Sequence, residues 1–190
     1  MSERRDLTPA QTVGPFLAIG LLWDDGPYVV PAETAGTIEI SGCLYDGDGA
    51  VLQDGLIETW QADTAGRFNH PDDPRGVTSP SPAGFRGFGR CGTDAEGRWH
   101  ITTVKPAALP APNGTVEAPH LDISVFARGL LDRVVTRLYF PDEAALNDTD
   151  PVLSTVEPAR RGTLIAVGSG TGLRFDIHLQ GADETVFFEV

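Results

Sequence analysis

From His120 to Arg128 the residues alternate between a wholly apolar face and a mostly polar one, and little but a β-strand can use that pattern. Leu121, Ile123, Val125 and Ala127 fall on one face, and His120, Asp122, Ser124, Phe126 and Arg128 on the other. A period of two makes a half-buried strand. A second run, Val134 to Phe140, alternates in the same way, and Arg128-Gly129 to Asp132 reads as the link between two paired strands. On the polar face, His120 and Asp122 are two apart and project together. Such a pair could begin a metal site, because imidazole and carboxylate both ligate first-row metals, or it could be an ordinary solvated strand face.

The rest of the chain extends the β reading. Thr37 to Tyr45 alternates, Asp46-Gly47-Asp48-Gly49 is a turn, and Val51 to Gln61 keeps β character. Arg98 to Val104 is a strand with Trp99 and Ile101 set against Arg98, His100 and Thr102. Thr163 to Val167 and Leu173 to Leu179 are expected strands around the turn Gly168-Ser169-Gly170-Thr171-Gly172, and Thr185 to Val190 is an expected closing strand. Only Pro141 to Leu146 carries a helical signal. Many short strands with Gly/Pro turns predict an all-β fold, an antiparallel two-sheet β-sandwich with long loops. Residues 62–90 and 105–119 lose periodicity, and loops of that length are often functional.

Residues 1–36 read as an extended N-terminal arm ahead of a sandwich domain at 37–190. Thr8-Pro9-Ala10-Gln11-Thr12-Val13-Gly14-Pro15-Phe16 carries two prolines and a glycine, followed by the apolar anchors Leu17, Ile19, Leu21, Leu22 and Trp23. The arm docks either on its own domain or on a partner subunit. The apolar end Val186-Phe187-Phe188 also suggests an oligomer.

Composition narrows the function. With 14 basic residues against 27 acidic ones and a formal charge of −13, the chain lacks the basic footprint of a nucleic-acid binder. Lys105 is the only lysine, which argues against Schiff-base chemistry. Cys43 and Cys91 stand singly, with no zinc or redox spacing. A charged start without an apolar core, and no bilayer-length apolar run, predict a soluble cytoplasmic protein. The glycine-rich 168–172 stretch lacks the strand-to-helix context of a phosphate loop, and there is no nucleophile elbow.

Several segments together resemble the intradiol ring-cleaving dioxygenases. They are Ile40 to Gly47, Leu56 to Asp63 with Gly66-Arg67-Phe68, Gly89-Arg90-Cys91 with Thr103-Val104-Lys105-Pro106, and Ala118-Pro119-His120-Leu121-Asp122. The resemblance implies a ferric ion on two tyrosinates and two histidines. This chain departs from that set. Phe68 stands at the first tyrosine position, Leu109 near the second, and Asp122 replaces one histidine, so His120 alone of the four ligands remains. The chain then resembles a two-chain branch of the family, on Thr8 to Phe16, Phe126 to Gly129, Thr136 to Phe140 and Glu184 to Phe188. There the Fe(III) belongs to a homologous partner chain in a hetero-oligomer. The resemblance implies that this chain binds no metal, has no catalytic residue of its own, and lends Thr12, Gly14, Pro15 and Arg128 to the partner's pocket for an aromatic substrate and O2. A guanidinium at Arg128 suits a substrate carboxylate. Two other readings stand beside it: a self-sufficient metalloenzyme built on His120 and Asp122, and a non-enzymatic β-sandwich binding module.

Overall fold

Where the sequence alternates, the structure buries one face. Along Arg98–Val104 the indole of Trp99 and the side chain of Ile101 are buried while Arg98 is exposed. The computed structural model describes residues 20–68, 70–73, 75–111 and 114–189. In chain order its strands are β1 (Thr37–Tyr45), β2 (Leu56–Trp60), β3 (Phe88–Gly92), β4 (Arg98–Val104), β5 (Leu109–Pro110), β6 (Val116–Glu117), β7 (His120–Phe126), β8 (Val134–Tyr139), β9 (Val167–Ser169), β10 (Gly172–Arg174) and β11 (Ile177–His178).

Two sheets form the sandwich. One has the order β3-β2-β7-β8 and is antiparallel throughout. The other is built on β1, which pairs antiparallel with β4 and in parallel with β10 and β11. β5 and β6 form a separate two-stranded ladder inside the 105–119 loop. Between the sheets lies a core that includes Ile40, Leu44, Ile57, Trp99, Ile101, Leu121, Ile123, Val125 and Leu138. A second cluster, Ala118, Tyr139, Leu153, Val156 and Leu164, covers the outer face of the first sheet at the start of β7. It is supplied by the segment after β8, which holds α1 (Ala144–Asn147) between short 3-10 turns.

β10 and β11 continue one line along β1. Leu173 faces Ile40 and Ile177 faces Leu44 in an unbroken register. At the gap between them the side chain of Asp176 replaces the backbone, accepting the N–H of Cys43 at 2.8 Å, 133 residues away in sequence. Gly42 permits this approach, because a Cβ there would lie 1.8 Å from the carbonyl oxygen of Phe175.

Two expected strands take another form. Thr163 to Val167 is instead a 3-10 turn over Arg161–Leu164, followed by an isolated bridge at Ile165 and the start of β9. The Thr163 hydroxyl donates to the Arg160 carbonyl and accepts from the Val186 N–H, local bonds that compete with a ladder. Among the described residues the expected closing strand is reduced to one bridge, Val135 to Phe188. Nor is that end a free apolar patch: Phe187 packs on the main core, and Val186 and Phe188 on the second cluster.

The N-terminal residues through 19, with Thr12, Gly14, Pro15, Phe16, Leu17 and Ile19, lie outside the described residues. In the part of the arm that is described, Val29 and Val30 enter the chain's own core, while Leu22 and Trp23 stay exposed. The two cysteines are buried and free. Among the described residues, no helix is long and apolar enough to cross a membrane.

Candidate functional site

Strand register sets the site. On the outer face of the antiparallel sheet, Phe88, Trp60, Asp122 and Arg137 lie side by side across β3, β2, β7 and β8. His120 is one step along β7, opposite Tyr139. The β5–β6 ladder and the 62–87 loop stand over this row. Together they enclose a cavity of about 420 Å³ lined by Phe68, Arg75, Leu109, Pro110, Glu117, His120, Asp122 and Arg137. The four positions singled out in the sequence, Phe68, Leu109, His120 and Asp122, therefore share one pocket.

Two buried aspartates hold the loop that carries Phe68. Asp63 accepts the backbone N–H groups of Ala65, Arg67 and Ser81 at 2.8–2.9 Å. Asp73 accepts the Phe68 N–H at 3.1 Å and binds Arg75 through both oxygens, with Arg67 as a further donor. Hydrogen bonds from Arg75, with lesser ones from Phe68 and Arg67, hold the Asp73 carboxyl well below the usual carboxylate range. So tied, the Phe68 ring stacks on Trp60, with centroids 6.0 Å apart and planes 4° from parallel.

At the floor, the side chain of His120 is only 5% accessible. Its Nδ1 lies 2.7 Å from the Ala118 carbonyl oxygen. A carbonyl only accepts, so Nδ1 carries a hydrogen. Nε2 then points at two carboxylates, 3.7 Å from Glu117 Oε2 and 4.0 Å from Asp122 Oδ1. Between those carboxylates sits Arg137, which donates from Nη1 to Glu117 at 2.7 Å and from Nε to Asp122 at 2.9 Å. Burial works against the charge of Arg137, but Asp122 and its other partners outweigh it and hold the guanidinium above its ordinary range. Behind His120 the phenol of Tyr139 donates to Asp150 at 3.0 Å and is pushed above its usual pKa, chiefly by burial. Asp150 also accepts the N–H groups of Ala118, Val152 and Leu153.

This donor set does not fit the ferric ion that the resemblance implies. Phe68 and Leu109 present a phenyl ring and an alkyl group, which carry no lone pair for a metal. Asp122 and Glu117 could ligate, but both already hold a cation in Arg137. Among the described residues, no group of three or more His, Cys, Asp and Glu side chains is arranged to hold a metal ion.

Arg128 is not in this pocket. It follows the opposite end of β7, about 20 Å of strand from His120. Its side chain is 67% accessible, and Nε is 3.4 Å from Asp54. The lone lysine, Lys105, is paired with Asp142 at 2.7 Å and Glu143 at 2.5 Å. Sequence reading gave no role to Glu117, Arg75 or Arg137. For Arg137 a signal existed: counting back through the Arg128–Asp132 link sets it opposite Asp122, an opposite-charge cross-strand pair. Glu117 and Arg75 sit in aperiodic loops, where no count reaches them.

The comparisons with known proteins address the whole chain. The family model described as "Dioxygenase" matches residues 31–181. The chain belongs to the intradiol dioxygenase family. A relative named protocatechuate 3,4-dioxygenase alpha chain, from Burkholderia cepacia, is 42% identical over 96% of this chain and 97% of its own length. The beta chain of the same enzyme from that organism is 36% identical over 78% of this chain and 66% of its own. Among solved structures, the dioxygenase domain of a dioxygenase carbohydrate-binding fusion from Streptomyces sp. SirexAA-E is similar with a TM-score of 0.55 and 25% identity. It is matched over its full length and covers 93% of this chain.

Proposed function

We propose that this chain is the alpha subunit of a protocatechuate 3,4-dioxygenase, working in a cytoplasmic αβ hetero-oligomer. The homologous beta chain holds the Fe(III), and this chain binds none. The complex uses O2 to open the ring of protocatechuate between its two hydroxyl-bearing carbons, giving 3-carboxy-cis,cis-muconate. This chain scaffolds the iron-bearing partner and lends Thr12, Gly14, Pro15 and Arg128 to the partner's pocket.

One observation carries the reading. At the pocket where the family's ligands are expected, Phe68 and Leu109 offer no donor atom, and the carboxylate of Asp122 is already neutralised by Arg137. End-to-end similarity to an alpha chain supports it further. The accessible guanidinium of Arg128 is consistent with a contact made across a subunit boundary, since its only charged neighbour in this chain is the half-exposed Asp54 among the described residues.

Coexpression with a homologous beta chain tests the proposal. The expected product is a copurifying complex that carries iron, shows the colour of tyrosinate-to-iron charge transfer, and turns over protocatechuate. The chain purified alone is expected to be colourless and inactive. Stoichiometric iron and turnover in the isolated chain would overturn the reading.

A further inference from the structure

We propose that the guanidinium of Arg137 is a tethered cation that fills the metal position of the pocket and keeps it metal-free. Around it stand three side chains of metal-ligating type, His120, Glu117 and Asp122, which as they stand are not arranged to hold an ion. His120 is buried, its Nδ1–H is anchored on the Ala118 carbonyl, and its Nε2 is aimed at the cluster. That is how a protein fixes a histidine for ligation, with one ring nitrogen donating to backbone and the other presented to the ion. Glu117 Oε2 and Asp122 Oδ1 complete a set of one nitrogen and two oxygens, each oxygen within 4.0 Å of Nε2. Ligands about 2.1 Å from one first-row ion stand roughly 3–3.5 Å apart, so Nε2 is within about half an ångström of that spacing from Glu117 and about an ångström from Asp122.

What occupies the gap is Arg137, bonded to both carboxylates at 2.7 and 2.9 Å. A guanidinium satisfies two carboxylates, because it donates along fixed directions. Neither of these two bonds involves His120 Nε2. Loss of the guanidinium leaves two partly buried carboxylates without a counter-charge, and a divalent ion is the species that restores it. The inference concerns this chain's own side chains, so the outcome of coexpression with a beta chain neither supports nor removes it.

Arg137→Gln in the full chain, titrated with Co2+, is the test. Co2+ is chosen because its visible absorption reports ligation by nitrogen and oxygen. The wild-type chain is expected to show no ligand-field spectrum. The variant is expected to bind Co2+ at one equivalent, and the double variant Arg137→Gln/His120→Ala to lose at least about tenfold in affinity. A folded Arg137→Gln chain without Co2+ uptake, equal uptake by wild type, or a double variant that binds as well as the single one overturns the proposal. Should Arg137→Gln fail to fold alone, it is refolded with and without Co2+. Recovery that depends on Co2+ supports the proposal, and failure in both conditions overturns it.

Discussion

Gly42 has no room for even one more carbon. The Phe175 carbonyl oxygen stands 1.8 Å from the site of a Cβ, and the obstacle is backbone, which cannot rotate away. Gly42→Ala is expected to cost about 3 kcal/mol, read as a lowered urea midpoint. Asp73 gives a pH signature instead. Its folded pKa lies below the ordinary value near 3.9, so its contribution is complete above that value and is lost as pH falls toward the folded one. Asp73→Asn is expected to be less stable than wild type at pH 7, with the gap narrowing below about pH 4 in paired denaturation curves. Arg128→Ala, reassembled with the beta chain, is expected to lower kcat/KM for protocatechuate about tenfold, the loss of one charge-assisted hydrogen bond. An unchanged value removes Arg128 from the shared pocket. At this scale the pocket was half legible. Phe68, Leu109, His120 and Asp122 follow from motif positions, whereas the groups that give the pocket its charge balance come from pairing and loop closure.

Strands were legible where one face is buried and the other is not. β7, β4 and β1 follow from their alternation, because burial in a sandwich imposes a period of two. The direction of pairing leaves no such trace. Nothing in Leu173 to Leu179 states that it runs parallel to β1, or that Asp176 interrupts it to take the N–H of Cys43. The closing segment shows the same limit: its apolar residues suggested an exposed patch for a partner, but they pack on the chain's own main core and second cluster. The Thr136 hydroxyl donates to the Val186 carbonyl at 2.7 Å and the Phe188 N–H to Val135 at 2.8 Å, fixing that cover. Phe187→Ala is expected to cost about 2 kcal/mol, since its ring is partly rather than fully buried on the core. A thermal midpoint unchanged within error would show that the tail contributes no packing.

The sandwich sets a site on one sheet face, and residues 20–30 lead into it with Val29 and Val30 in its core. We propose that residues 1–19 serve assembly rather than the stability of the domain. A chain beginning at Gly20 is expected to keep its thermal midpoint and to lose copurification with the beta chain. Equal recovery of the complex would assign assembly to another surface, such as the exposed Leu22 and Trp23.

The parallel seam along β1 also has a consequence for synthesis. β1 is made first, and the residues that occupy its second edge are made more than a hundred residues later. Until then that edge is an open row of N–H and C=O groups able to capture another nascent chain. Production of this protein should therefore be limited by aggregation of incomplete chains, and slowing initiation at low temperature should raise the soluble yield more than any change made to the finished molecule.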